Sequence, residues 1–237
     1  MTIDPEAPPM FPQPTIDPAM APIAPGFRAV NLFVDAHGAA PAALDPAILA
    51  GACRTVREGG PAWAEAHLAN WAEVYVRFGA KPNRTPCSAQ ALRKRVLKDG
   101  SLPAINPVVD LYNAVSLLFA VPVGGENIDS YAGAPRLTIA DGSEPFDTIA
   151  NGEPSIEHPT PGEVIWRDDV GVTCRRWNWR QGARTRLDTF TGRMWFVLES
   201  LDAMPIEALD DAATCLELGL RTLIPGCSII RETLAVE

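Results

Sequence analysis

The chain has 237 residues, a formal net charge of −9, 47% apolar and 21% charged residues, and 23 prolines. That length suits one large domain or two small ones, with apolar content enough to bury a core. No apolar run approaches the roughly 18 residues of a membrane span, the best (Ala114 to Val123) being broken by Ser116 and Pro122, and the acidic balance speaks against duplex DNA as a partner.

Eight prolines fall within residues 1–25, where neither helical nor strand periodicity is present. The segment reads as a flexible proline-rich tail, followed by one domain over 26–237. Phe27 to Val34 reads as a strand. Apolar residues at helical spacing predict helices over 46–57 and 61–78, the second carried by Trp63, Leu68, Trp71, Val74, Tyr75 and Phe78. A loop spans 79–87, Ser88 is placed to cap a short helix ending at Gly100, and Asn106-Pro107 opens another that runs to Phe119. Gly124-Gly125 marks a turn. Strands are predicted at 136–140, 163–167, 172–179, 194–199 and 228–236, with a hairpin connection at Asp168 to Gly171 and a last helix over 205–223. Helices grouped early and strands late predict an α+β fold, helices packed on a mainly antiparallel sheet.

Cys53, Cys87, Cys174, Cys215 and Cys227 form no C-x-x-C pair. They predict reduced thiols, and neither a disulfide framework nor a metal centre. The first basic residue is Arg28, so no basic segment precedes an apolar one; a cytoplasmic protein without a secretory leader is the expectation. Charge is unevenly spread. Residues 77–98 hold seven basic residues and no acid, and residues 175–193 hold six arginines against Asp188, interleaved with Trp177, Trp179 and Phe190. Cationic and aromatic side chains so mixed suit phosphates and stacked bases.

Two strings and a helix carry a resemblance. Arg84-Thr-Pro-Cys-Ser-Ala-Gln-Ala-Leu-Arg-Lys-Arg95 precedes the helix Asn106-Pro-Val-Val-Asp-Leu-Tyr-Asn-Ala-Val115, and Val172-Thr-Cys-Arg-Arg-Trp-Asn-Trp-Arg-Gln-Gly182 follows later. Together they resemble the tRNA-binding and editing domain of the phenylalanyl-tRNA synthetase β subunit, and more closely its freestanding relatives, from about Phe27 onward. The resemblance implies hydrolysis of the ester of a mischarged aminoacyl-tRNA, with no cofactor. Nothing in the sequence resembles the synthetase's ATP-dependent core and no G-x-x-x-x-G-K loop is present, so the chain is not expected to charge tRNA. The synthetase helix reads N-x-V-V-D-x-T-N-Y-V, which Asn106, Val108, Val109, Asp110, Asn113 and Val115 match, so that Asn113 falls on an asparagine of the editing pocket. Tyr112 replaces the threonine before it, and Gly124 replaces the editing histidine.

An aminoacyl ester is already activated. Its hydrolysis needs a held water and donors for the oxyanion more than a strong nucleophile. The catalytic candidates are Asn113, the Gly124 and Gly125 backbone, and Glu126, which serves as a base only if its surroundings raise its pKa. Substrate-binding candidates are Asp110, Tyr112, Arg176, Asn178 and Gln181, and tRNA-binding candidates are Arg84, Arg93, Lys94, Arg95, Arg180 and Arg184. On a regular strand Arg176, Asn178 and Arg180 face one way and Arg175, Trp177, Trp179 and Gln181 the other, so only one set could meet the helix. His37, His67 and His158 lack metal-ligand spacing, and a Cys–His pair using Cys87 or Cys174 stays open. The alternatives to a deacylase are a non-catalytic tRNA-binding module and a binder of an amino-acid-like small molecule.

Overall fold

The computed structural model of the chain describes residues 11–189 and 191–235. In chain order they form β1 (Thr15–Ile16), β2 (Arg28–Asp35), α1 (Pro46–Arg57), α2 (Ala64–Arg77), α3 (Ser88–Asp99), α4 (Pro107–Phe119), β3 (Val123–Asn127), β4 (Arg136–Ile139) and β5 (Phe146–Ala150). Then follow β6 (Glu153–Glu157), β7 (Val164–Arg167), β8 (Val172–Arg175), β9 (Arg180–Gln181), β10 (Arg193–Ser200), α5 (Ile206–Leu223) and β11 (Ser228–Ala235). The predicted α+β class is what the chain adopts.

Two sheets divide the strands. One is antiparallel throughout, in the order β11-β2-β10-β3. The other runs β1-β4-β7-β8-β5-β6 with β9 beside β8, and is parallel only at β1·β4 and β5·β8. Strands β2 and β10 are apolar on both faces because both are covered, which is why they read as continuous runs instead of alternating ones. Val30, Leu32, Val34, Phe196 and Leu198 face α4 and α5. Ala29, Phe33, Trp195 and Val197 face α2 and the second sheet. The site lies in this second layer.

Capping chemistry sets the helix starts. The Asp45 and Asn106 side chains accept from Ala47 N–H and Val109 N–H, both at 2.9 Å, each with proline at the first helical position. Ser88 is not the cap expected of it; it is the first helical residue of α3, and its N–H is taken instead by Asn178 Oδ1 at 3.4 Å. His67 is structural: Nδ1 donates to the Ala120 carbonyl at 2.9 Å while Nε2 accepts from Trp71 Nε1 and Leu201 N–H, and burial pushes its pKa down to about 4.

Three further expectations change. Residues 11–25 are packed rather than a free tail: Thr15–Ile16 pairs with β4, and Phe11, Met20 and Ala24 are buried, Phe11 stacking on Phe33 at 5.1 Å; residues 1–10 lie outside the described residues. Gly124-Gly125 is not a turn but the middle of β3. There a Cβ on Gly125 would sit 2.9 Å from the Phe196 ring and 3.0 Å from that of Tyr112, so the residue is glycine for space. The β5–β6 hairpin was not predicted, although its two-residue Asn151-Gly152 loop, with φ of 53° and 85°, is a strong hairpin signal.

Candidate functional site

A cavity of about 270 Å³ opens between the two sheets. Its floor is one face of the antiparallel sheet: Trp195, Val197 and Glu199 alternate along β10, and Gly124 and Glu126 stand opposite Val197 and Trp195 on β3. Tyr112 and Asn113 of α4 and Ser88, Ala91 and Leu92 of α3 form one wall, and Trp166, Cys174 and the segment from Trp177 to Gln181 form the other. Asn113 makes no side-chain hydrogen bond among the described residues, and its half-buried amide faces this space. Polar groups so placed usually have partners; a ligand would supply one.

The second wall answers the question of which strand face meets the helix. The strand stops at Arg175 and resumes at Arg180, and between them Arg176 (φ 47°) and Trp177 (φ 66°) take the left-handed conformation. Two adjacent non-glycine residues in that region cost about 1–2 kcal/mol each. Specific bonds hold them there: Trp177 N–H to the Val164 carbonyl at 2.7 Å, and Arg176 N–H to Glu163 at 3.1 Å. The turn breaks the alternation, so Trp177, Asn178, Trp179 and Gln181 all reach the cavity.

Two carboxyls are buried here. Glu199 Oε1 accepts from Trp166 Nε1 at 3.0 Å and Trp177 Nε1 at 2.9 Å, and its Oε2 accepts from Asn178 Nδ2 at 2.9 Å. Asn178 Oδ1 in turn accepts from the Tyr75 hydroxyl at 2.9 Å, so Glu199 anchors the hairpin to α2 and α3. Glu126 Oε2 accepts from the Tyr131 hydroxyl, which lies 3.1 Å from that of Thr173. Burial raises both carboxyls to about 7, against the lowering effect of these donors. Glu126 lies in β3 and is buried, so its surroundings do raise its pKa. Glu199 was not singled out from the sequence, since a glutamate ending an apolar strand reads as the strand's exit to solvent.

The profile of the B3/4 domain, a domain of the phenylalanyl-tRNA synthetase β-subunit family, matches residues 70–216. The chain belongs to the B3/4 domain family. The chain is also similar in structure to an N-terminal fragment of the phenylalanyl-tRNA synthetase β subunit from Pyrococcus horikoshii, with 11% identity and a TM-score of 0.48, covering 94% of this chain and 54% of that one. It thus spans about half the length of that fragment. No curated protein matches the chain.

In this B3/4 domain, the sequence-predicted residues separate into those the cavity gathers and those it does not. Tyr112, Asn113, Gly124, Gly125, Glu126, Asn178 and Gln181 line it. Gln181 Nε2 donates to the Gly125 carbonyl at 2.9 Å and so ties the hairpin to β3. Asp110 does not take part: it is buried and accepts from Ile105 N–H at 2.9 Å, closing the α4 start. Arg176 points to the opposite side of the turn, where its guanidinium covers Trp179 at 4.5 Å and pairs with Glu163 at 3.5 Å.

Three of the six predicted tRNA contacts, Arg93, Arg180 and Arg184, are engaged within the protein. Arg93 is buried, donating to the Gly59 carbonyl and to Glu65, both at 2.9 Å. Arg180 pairs with Glu157 at 3.2 Å and Arg184 with the fully buried Asp168 at 2.9 Å. Arg95 is exposed beside Asp99 at 3.8 Å, and Arg84 and Lys94 have no side-chain partner among the described residues. Phe190 lies outside the described residues. The thiol alternative loses its base, because His67 is fully bonded elsewhere. Burial raises Cys87 to about 12 and Cys174 well above the usual thiol range.

Proposed function

We propose that the cavity holds the aminoacyl end of a mischarged tRNA and hydrolyses its ester, with the chain acting in trans as a proofreading deacylase. The observation that carries this reading is that the Asn113 amide, without a hydrogen-bond partner among the described residues, and Glu126, whose carboxyl burial pushes up to about 7, line one small, aromatic-walled space. At about 270 Å³ the cavity is at the small end of ligand sites and suits one amino acid rather than a nucleotide. A base is most useful when its pKa lies near the working pH. Glu126 takes a proton from water as the water attacks the ester carbonyl carbon. The Asn113 N–H₂ donates to the developing oxyanion, and collapse expels the ribose hydroxyl, which takes the proton back from Glu126. Membership of the B3/4 family and the basic helix α3 at the mouth support tRNA as the carrier.

The internal pairing of Arg93, Arg180 and Arg184 favours a second reading, a binder of an amino-acid-like small molecule. Incubation with a panel of mischarged tRNAs separates the two: ester hydrolysis supports the deacylase, and free amino acid binding with no tRNA retention supports the binder. Asn113→Ala is expected to lower deacylation at least ten-fold at unchanged tRNA affinity, because a positioned donor acts in the transition state. The rate is expected to rise through pH 7, as Glu126 ionises above its pKa of about 7.

A further inference from the structure

A second cavity, of about 380 Å³, lies on the far side of the same turn. Lys81, Arg84 and Arg176 line it, with Phe78 and Glu163. The carboxylate is already spent, since Arg175 holds both Glu163 oxygens at 2.9 Å and Arg176 approaches at 3.5 Å. Lys81 and Arg84 have no side-chain partner among the described residues, whereas Arg175, Arg180 and Arg184 are tied to Glu157, Glu163 and Asp168. In a chain of net charge −9 this leaves a concave, locally cationic surface in which Lys81 and Arg84 have no acid to meet among the described residues.

The two cavities share a wall. Trp179 lines the first and lies under the Arg176 guanidinium of the second, while Phe78 of the second packs on Trp177 of the first with ring centroids 6.5 Å apart. A single ligand with an amino-acid-sized group on one side of the turn and phosphates on the other would span both. We propose that the Lys81–Arg84–Arg176 cavity is a phosphodiester site that grips the single-stranded acceptor end of the tRNA whose aminoacyl group occupies the first cavity. This rests on the aminoacyl-tRNA reading of the first cavity. The strained turn then has a role, as it turns the Arg176 side chain toward the phosphates and the Trp177–Gln181 side chains toward the amino acid.

The test is binding, so that it stands apart from hydrolysis. A fluorescent single-stranded RNA with an uncharged acceptor-end sequence is titrated between about 50 and 200 mM salt against the wild type, Lys81→Ala/Arg84→Ala, and Arg57→Glu. The last makes the same change in net charge at an exposed residue of α1. Each phosphate contact contributes about 0.7 to the slope of log affinity against log salt for single strands. The double variant is expected to flatten that slope by about 1.4 and to bind at least ten-fold more weakly at low salt, with Arg57→Glu equal to wild type. An unchanged slope in the double variant, or an equal loss in Arg57→Glu, overturns the site. Displacement of the RNA by adenosine monophosphate at comparable concentration overturns the assignment to a nucleic-acid backbone in favour of a free nucleotide. Flattening of the slope in a protein that cleaves no mischarged tRNA leaves the phosphate site standing and refutes the deacylase.

Discussion

Replacing Glu199 by glutamine tests whether the cavity floor holds a carboxyl that is neutral below pH 7. The raise from the ordinary 4.5 to about 7 corresponds to about 3 kcal/mol, at roughly 1.4 kcal/mol per pH unit. The sign follows from the two states. Between pH 4.5 and 7 the unfolded carboxyl ionises while the folded one stays protonated, so the folded state binds more protons and stability falls as pH rises through this window. Above 7 the cost is complete. Glutamine carries no charge at any pH and escapes it, but it introduces another penalty. Its carbonyl can keep both indole donors, whereas its amide would face Asn178 Nδ2, and Asn178 cannot turn over without setting its amide against the Ser88 N–H. A buried donor so mismatched costs about 1–3 kcal/mol. Since about 1 kcal/mol of the wild-type cost is already present at pH 5, Glu199→Gln is expected to be about 1 kcal/mol less stable than wild type at pH 5 and about 1 kcal/mol more stable at pH 8. Urea unfolding at both pH values, with equal m-values, reads the difference directly. The same stability change at pH 5 and pH 8 would refute the reasoning, because it would mean that Glu199 titrates alike in the folded and unfolded chain.

Other variants probe what the fold imposes. Gly125→Ala is expected to cost about 1–3 kcal/mol by pushing a methyl against the Phe196 and Tyr112 rings, seen as a lowered urea midpoint. Deleting residues 1–25 removes Phe11 and Met20 from the core and is expected to lower unfolding free energy by about 4 kcal/mol; an unchanged midpoint would return the segment to the status of a tail. Arg93→Ala is expected to destabilise by about 2 kcal/mol while leaving the salt slope of RNA binding unchanged, since its guanidinium is spent on Gly59 and Glu65.

Local chemistry was legible along the chain. Asn106-Pro107 announces a helix start because capping and the fixed proline φ act within a few residues, and the 3.6-residue spacing of Leu68, Trp71 and Tyr75 marks the buried face of α2. The motif strings pointed to a synthetase-like domain, and Asn113, Glu126, Asn178 and Gln181 do share a cavity. What the sequence could not carry was whatever depends on partners far away in the chain. Arg93, Arg180 and Arg184 read as free cations until Glu65, Glu157 and Asp168 are brought to them, and ion pairing consumes the charge that a count along the sequence leaves available. The N-terminal segment has no periodicity of its own; its order comes from β4, some 120 residues on. The end of a β-strand is polar in most sequences because it meets water, and only the hairpin folded over β10, with its two indoles and the Asn178 amide, turns the Glu199 carboxyl into a buried group.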